Sequence, residues 1–120
     1  MFDDADAAIA KVQDDVRRAQ QRAERMGELQ QATSAARGTA ISSGRELAVQ
    51  VDHSGWLTEL RLTDAAMRRG PAGVARLILD TARLARRDLE QKLLAAASTI
   101  LGEDDPALDG LRAQLERADR

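Results

Sequence analysis

The sequence predicts an α+β fold in the order α-β-β-β-α, with two long helices, a small three-stranded antiparallel sheet and a short C-terminal helix. Residues 45–62 alternate apolar and polar side chains around an Asp-His-Ser-Gly turn, a pattern typical of a β-hairpin. Helical apolar spacing runs through residues 3–35 before the hairpin and through residues 71–101 after it. The hairpin is therefore the β-structured centre of an otherwise helical chain.

The first long helix is indicated by a heptad pattern in which apolar positions step alternately by three and four residues. Acidic residues occupy its first turns, where the helix dipole favours negative charge. We expect this apolar seam to pack against another helix of the fold or against a second copy of the chain. The seam contains Phe2, Ala5, Ile9, Val12, Val16, Ala19, Ala23 and Met26.

Small residues in segment 33–45 end this helix, and Thr39 and Ile41 predict a short strand that joins the hairpin in one sheet. The hairpin turn occupies residues 52–55, where Gly55 accommodates a positive φ. In the second hairpin strand the alternation predicts two distinct faces. One face is expected to carry Trp56, Thr58, Leu60 and Leu62, and the other Leu57, Glu59 and Arg61.

Capping residues mark the helices after the hairpin. Thr63-Asp64 predicts a short helical turn over residues 65–68, and Gly70-Pro71 predicts the start of the second long helix. Gly102 ends that helix, and Asp105-Pro106 starts a C-terminal helix that runs to residue 117. A helix of about 30 residues spans roughly 45 Å, more than a three-stranded sheet covers. Its distal half is expected to pack on the partner subunit, and the C-terminal helix to fold back on it or to be loosely attached.

A length of 120 residues predicts a single domain, here residues 1–102, followed by an acidic helical extension at residues 103–120. Alanine supplies 23 of the 52 apolar residues, so the core of one copy is thin. Each buried side chain contributes only about 25 cal/mol per Å² of apolar area. We therefore predict a symmetric homodimer. Strand edges and helix seams are expected to form its interface, through Val49, Val51, Trp56, Leu60, Leu89 and Leu93.

Composition argues against several classes of protein. The chain has no Cys, which excludes disulfides and thiolate metal sites. It contains no apolar run of 18 residues, and its N-terminus does not resemble a signal peptide. We expect a soluble, cytoplasmic protein that does not contact membranes.

No enzyme site is visible in the sequence, and we predict no enzymatic activity, no cofactor and no metal ion. The single histidine, His53, lies between Asp52 and Ser54, but adjacent turn residues rarely converge as a catalytic triad requires. The acidic run 103–105 lacks the alternating ligand spacing of a calcium loop. The glycines at 70 and 73 are not followed by the Gly-Lys-Ser/Thr of a phosphate loop.

Charge is distributed unevenly although the net charge is only −2. Residues 1–10 and 103–120 each carry −3, whereas residues 17–87 carry +6. Sixteen of the 18 basic residues are Arg, whose planar guanidinium matches phosphate geometry. Two arginine stripes are the candidate DNA-binding residues: Arg17, Arg18, Arg22 and Arg25 on the first helix, and Arg76, Arg83, Arg86 and Arg87 on the second long helix.

The same arginines also fit a different interpretation, in which they are ordinary charges on solvated helix faces. Three of them stand four residues from an acid, as expected for weak pairs along a helix. These pairs are Asp14 with Arg18, Arg76 with Asp80, and Arg86 with Glu90.

Segment 47–67, LAVQVDHSGWLTELRLTDAAM, has an alternating strand, a short turn, a second strand and an Asp-capped helical turn. It resembles the YbaB/EbfC family of small nucleoid-associated proteins, and the Met-Phe start with a Gln- and Met-containing helix is also similar. The resemblance covers about residues 2–100. It implies an α-β-β-β-α homodimer in the nucleoid that binds duplex DNA with little sequence preference.

Two features depart from that resemblance. Asp3, Asp4 and Asp6 replace the Lys- and Gly-rich start of many members, and the region from Glu103 onward is an acidic extension. The chain also resembles YbaB-like accessory factors encoded beside type VII secretion systems. The alternative prediction is therefore a protein-interaction adaptor or chaperone-like accessory factor of the same fold that does not bind DNA.

Overall fold

Helices and a small sheet follow one another in the order that the sequence predicts. The computed structural model describes residues 2–118, with side chains from residue 4 onward. Its elements are α1 (Phe2–Ala35), β1 (Gly38–Ile41), β2 (Leu47–Val51), β3 (Leu57–Leu62), α2 (Asp64–Met67), α3 (Gly70–Leu101) and α4 (Pro106–Ala118). The predicted α+β fold is confirmed, and each element lies within a few residues of its expected position.

The sheet is antiparallel in the order β1-β2-β3, so β2 lies in its centre. The turn between β2 and β3 is held by the carboxylate of Asp52, whose Oδ1 accepts the backbone N–H groups of Ser54 at 2.9 Å and Trp56 at 3.1 Å. Gly55 adopts a φ of 85°, which only glycine takes without strain. The turn residues identified in the sequence therefore act as expected.

An irregularity in the β2–β3 pairing changes which side chains share a face. Gln50 pairs with Glu59, but the next residue, Val51, pairs with Leu57, so β3 contains one extra residue at this point. Directly opposed residues lie on the same face, which places Leu57 beside Val51 on the α3 side of the sheet. The predicted grouping of Leu57 with Glu59 and Arg61 is wrong, because a single extra residue reverses the alternation. Trp56 belongs to the turn, and 74% of it is exposed, so it is not a core residue of this chain.

The core lies between the central strand and α3. Leu47, Val49 and Val51 pack against Ala85 and Leu89, and all five are almost fully buried. At the start of β1 the backbone approaches α3 so closely that a Cβ on Gly38 would stand 2.0 Å from the carbonyl oxygen of Ala85. Glycine at this position lets the sheet lie directly on the helix.

Only the C-terminal end of α1 contacts the remainder of the chain. Residues 4–25 are all exposed, and the first half-buried side chains are Met26 and Leu29. The molecule is accordingly 84 Å long but only 23 Å by 17 Å across. Within the described residues, the predicted seam of α1 packs on no other element over residues 4–25: Ile9, Val12 and Val16 remain 56%, 60% and 50% exposed.

The distal half of α3 is covered by the chain itself. After Gly102, whose φ is 89°, α4 folds back on α3 and buries Leu108 completely, while Ala97 of α3 is also fully buried. Asp105 caps α4 through a 2.9 Å hydrogen bond from the N–H of Ala107. The expectation that the C-terminal helix folds back on α3 is confirmed, and the covering of this half by a partner subunit stays a prediction. Within residues 2–118, no helix combines the length and apolar character needed to span a membrane.

Candidate nucleic-acid interface

The arginines of α3 form one continuous exposed surface. Arg76, Arg83 and Arg87 are separated by seven and four residues, which places them on one side of the helix, and Arg86 lies beside them. All four side chains are exposed. At 1.5 Å per residue, the stripe is about 16 Å long. Because α3 packs on the sheet, this spacing is held by the core of the domain.

Few carboxylates neutralise this stripe. Arg83 lies 3.5 Å from Asp80, and Arg86 donates from Nε to the carbonyl oxygen of Gly55 at 3.4 Å. Among the described residues, Arg87 forms no ion pair. The expected pair of Arg76 with Asp80 is wrong, since the carboxylate of Asp80 turns toward Arg83 one turn further on.

Within residues 4–118, more of the arginines of α1 than of α3 form an ion pair with a carboxylate. Asp14 lies 3.6 Å from Arg17 and 3.1 Å from Arg18, so the expected pair with Arg18 is confirmed. Both guanidinium groups remain mostly exposed, and pairs of this kind contribute little to stability. Arg22 and Arg25 have no ion pair within residues 2–118. Among the described residues, this part of α1 contacts no other element, so its four arginines form a surface separate from the α3 stripe.

The α3 stripe borders a groove of about 880 Å³ between α3, the β2–β3 turn and the end of α4. We call it the arginine groove; its lining includes Leu57, Arg83, Arg86, Arg87, Leu93 and Leu115. Its lining therefore combines apolar side chains with three arginines. Sequence reasoning missed the groove because its parts are far apart in the chain and no local pattern links them.

Contacts between α3 and β1 fix the orientation of the helix under the stripe. Oδ2 of Asp88 accepts the backbone N–H of Thr39 at 2.8 Å and lies 2.8 Å from Nζ of Lys92. The hydrogen bond from Lys92 and the N–H of Thr39 lower the pKa of Asp88. Elsewhere, the hydrogen bond from Arg69 lowers the pKa of Glu46 at the other end of the sheet.

The expected interface residues divide into two groups in one copy of the chain. Val49, Val51 and Leu89 are 3%, 1% and 5% exposed, and Leu93 is half-buried against them. These four are covered by the chain's own sheet and helix. By contrast Trp56 and Leu60 are 74% and 36% exposed, and a partner has access to them.

The residues considered for catalysis or metal binding do not form a site in the part of the chain that the structure describes. His53 is exposed in the turn, and the carboxylate of Asp52 is used by the backbone of Ser54 and Trp56. No group of His, Asp and Glu within residues 2–118 is arranged to hold a metal ion.

Comparison with known proteins identifies a matching family. The model of the YbaB/EbfC DNA-binding family matches residues 9–104, a segment that contains both arginine stripes and the sheet. No curated protein and no solved structure gives a significant match to the chain.

Proposed function

Because the chain belongs to the YbaB/EbfC DNA-binding family, we propose that it binds duplex DNA through the arginines of α1 and α3, with little sequence preference and as a homodimer. Family membership supports the DNA-binding, nucleoid-associated role itself. We propose in addition the arginines that contact DNA, the low sequence preference and the homodimer.

The observation that carries the proposal is the α3 stripe. Four arginines lie exposed along about 16 Å of a helix that packs on the sheet, and Arg87 forms no ion pair among the described residues. Guanidinium groups bind phosphate oxygens bidentately. Contacts to phosphates fix a protein on the duplex without reading its sequence. Low sequence preference is therefore the expected behaviour of this surface.

Duplex rather than single-stranded DNA is favoured by the aromatic content. Proteins that bind single strands stack successive bases on aromatic rings. The chain has one Trp, one Phe and no Tyr, so it cannot supply such a series.

The homodimer is supported by apolar side chains on β3. Leu57, Leu60 and Leu62 are 46%, 36% and 41% exposed on the α3 side of the sheet, next to Trp56. A second copy that covers this surface completes the thin core. It also doubles the number of arginines available to one duplex. We propose no catalytic activity and no cofactor for this protein.

The proposal is tested by fluorescence anisotropy of a labelled duplex of about 30 base pairs at several salt concentrations, with a second duplex of scrambled sequence. Neutralised phosphates release counterions, so affinity should fall linearly with salt on a double-logarithmic plot, with a slope of roughly −0.9 per contact. The two duplexes should bind alike. Absence of binding at low salt contradicts the proposal.

A second candidate function is a protein-interaction adaptor, which the exposed Trp56 and the exposed α1 seam favour. Under this alternative the arginines are solvated charges. A partner that binds equally to the native protein and to a variant with Arg83→Glu and Arg87→Glu, together with no DNA binding by either, would support it.

A further inference from the structure

We propose that the N-terminal half of α1 from a second copy of the chain docks in the arginine groove. The docking segment is residues 4–16, and its apolar contacts are Ile9, Val12 and Val16. The docking is reciprocal in a symmetric dimer, with each α1 lying in the groove of the other copy.

Within residues 4–118, this segment packs against no other element of its own chain. Its side chains are all exposed, with Ile9, Val12 and Val16 at 56%, 60% and 50%. They recur at three- and four-residue spacing and form one stripe along the helix. Such a stripe is typical of a helix that lies in an apolar groove of a partner.

The docking segment and the groove carry opposite charge. Residues 4–16 contain four Asp and one Lys, a net charge of −3. At 3.6 residues per turn, Asp6 and Asp15 flank the stripe, each about 90° around the helix from it. The groove is lined by leucines together with Arg83, Arg86 and Arg87. Glu90 also lines the groove, but the arginines outnumber it on the side formed by α3.

The helix that occupies the groove comes from another copy of the chain. α1 is a continuous helix of 34 residues, attached to the domain only at its C-terminal end. Val12 lies about 35 Å along the helix from Ala35, at 1.5 Å per residue. The segment cannot return to the groove of its own chain unless this helix breaks.

Docking has a consequence for DNA that rests on the proposed function. The docked helix covers Arg83, Arg86 and Arg87, which are also proposed to contact phosphates. DNA and the acidic segment therefore compete for the groove, and α1 limits DNA binding at this site.

The test exploits the absence of cysteine from the chain. Val12→Cys is made in one copy, and Ser54→Cys, in the turn that borders the groove, is made in a second copy with a size tag. The control is Ser43→Cys, an exposed serine in the β1–β2 connection at the opposite end of the sheet. The two variants are mixed and oxidised without DNA. The yield of the disulfide between Val12→Cys and Ser54→Cys should be several-fold higher than the yield between Val12→Cys and Ser43→Cys. Equal yields would overturn the proposal.

Two further measurements address charge and competition. Arg83→Glu with Arg87→Glu in the Ser54→Cys copy should lower the cross-link several-fold, and an unchanged yield would contradict the assigned groove. A duplex that binds should also lower the yield of the native pair. If DNA binds while the cross-link yield stays the same, the proposed competition is wrong but the docking of α1 is not contradicted. If the cross-link forms and no DNA binds, the proposed DNA-binding function fails while the docking of α1 is supported.

Discussion

The carboxylate of Asp88 on α3 accepts a hydrogen bond from the backbone N–H of Thr39 on β1 at 2.8 Å. Nζ of Lys92 lies 2.8 Å from the same oxygen and also donates to the carbonyl oxygen of Arg37 at 3.0 Å. These contacts join β1, at the edge of the sheet, to Asp88 of α3, which is the residue directly after Arg87. They connect the stability of the sheet to the position of the arginine stripe.

Removal of this carboxylate should destabilise the domain. Asp88→Ala leaves the N–H of Thr39 without its partner, and hydrogen bonds to charged groups contribute about 1.5–3 kcal/mol. Because a third of the Asp88 side chain is exposed, we expect a loss of about 1–2 kcal/mol in the free energy of unfolding, measured with urea. Asp80→Ala is the control, since its side chain is 53% exposed and only pairs with Arg83. A loss as large in the control would refute the role of Asp88.

The same contact predicts a dependence of stability on pH. The pKa of Asp88 is lowered in the folded protein by the hydrogen bond from Lys92 and by the N–H of Thr39. Its contribution is therefore present above the pKa of Asp in the unfolded chain and is lost as the pH falls through the lower, folded-state pKa. Unfolding of Asp88→Asn should depend less steeply on pH in this acid range than unfolding of the native protein. Parallel curves would show that Asp88 does not contribute.

Gly38 should tolerate no larger residue. The methyl group of Gly38→Ala would stand 2.0 Å from the carbonyl oxygen of Ala85 and 2.8 Å from Cβ of Leu89, so β1 must move away from α3. Overpacking of this kind costs about 1–3 kcal/mol or more. Gly27→Ala on α1 is the matched control, because nothing lies within 4 Å of its Cβ and alanine favours the helix by up to about 1 kcal/mol. Thermal denaturation should show opposite shifts for the two variants.

Reversal of charge on the α3 stripe should weaken DNA binding. In Arg83→Glu with Arg87→Glu, each lost phosphate contact should reduce the salt slope of the association constant by about one. The control, Arg61→Glu with Arg68→Glu, makes the same change in net charge away from both stripes. Anisotropy titrations at several salt concentrations distinguish the pairs of variants. If both lose affinity equally, net charge rather than the stripe determines binding.

Leu60 should be required for dimerisation. Leu60→Asp places a carboxylate on the exposed apolar face of β3, where its desolvation opposes association, and we expect the dissociation constant to rise at least about tenfold. Arg61→Asp adds a carboxylate on the other face of the same strand and should leave association intact. Sedimentation equilibrium at micromolar concentration measures both. A native protein that is monomeric at this concentration contradicts the dimer itself.

Much of the fold follows from local signals. The cap at Thr63, the turn at Asp52 and Gly55, and the end of α3 at Gly102 all lie where the sequence predicts them, because each depends on residues adjacent in the chain. The faces of β3 could not be predicted in the same way. A prediction from alternation assumes that each residue of one strand lies opposite one residue of the neighbouring strand. The irregularity beside Val51 breaks this assumption, and it is a property of how the two strands pair.

The candidate site was predicted in its residue types but not in its arrangement. The sequence identifies the arginines of α3 by their spacing, since helical periodicity alone places them on one side. It does not reveal that Arg86 reaches the carbonyl oxygen of Gly55, or that Leu115 of α4 lines the same groove. Those contacts join segments about 30 residues apart, and no periodic pattern relates such segments.

The sequence by itself determined the order of elements, the β-hairpin at the centre, the charge asymmetry and the family. These properties depend on spacing, composition and backbone preference over short distances. Only the tertiary structure decided that α4 folds back on the distal half of α3, that residues 4–25 of α1 extend alone with their apolar side chains exposed, and that three arginines border a groove. The physical reason is that apolar burial is non-directional. A stripe of leucines on a helix predicts that this face is buried. Which element buries it depends on the relative stability of all the possible packings.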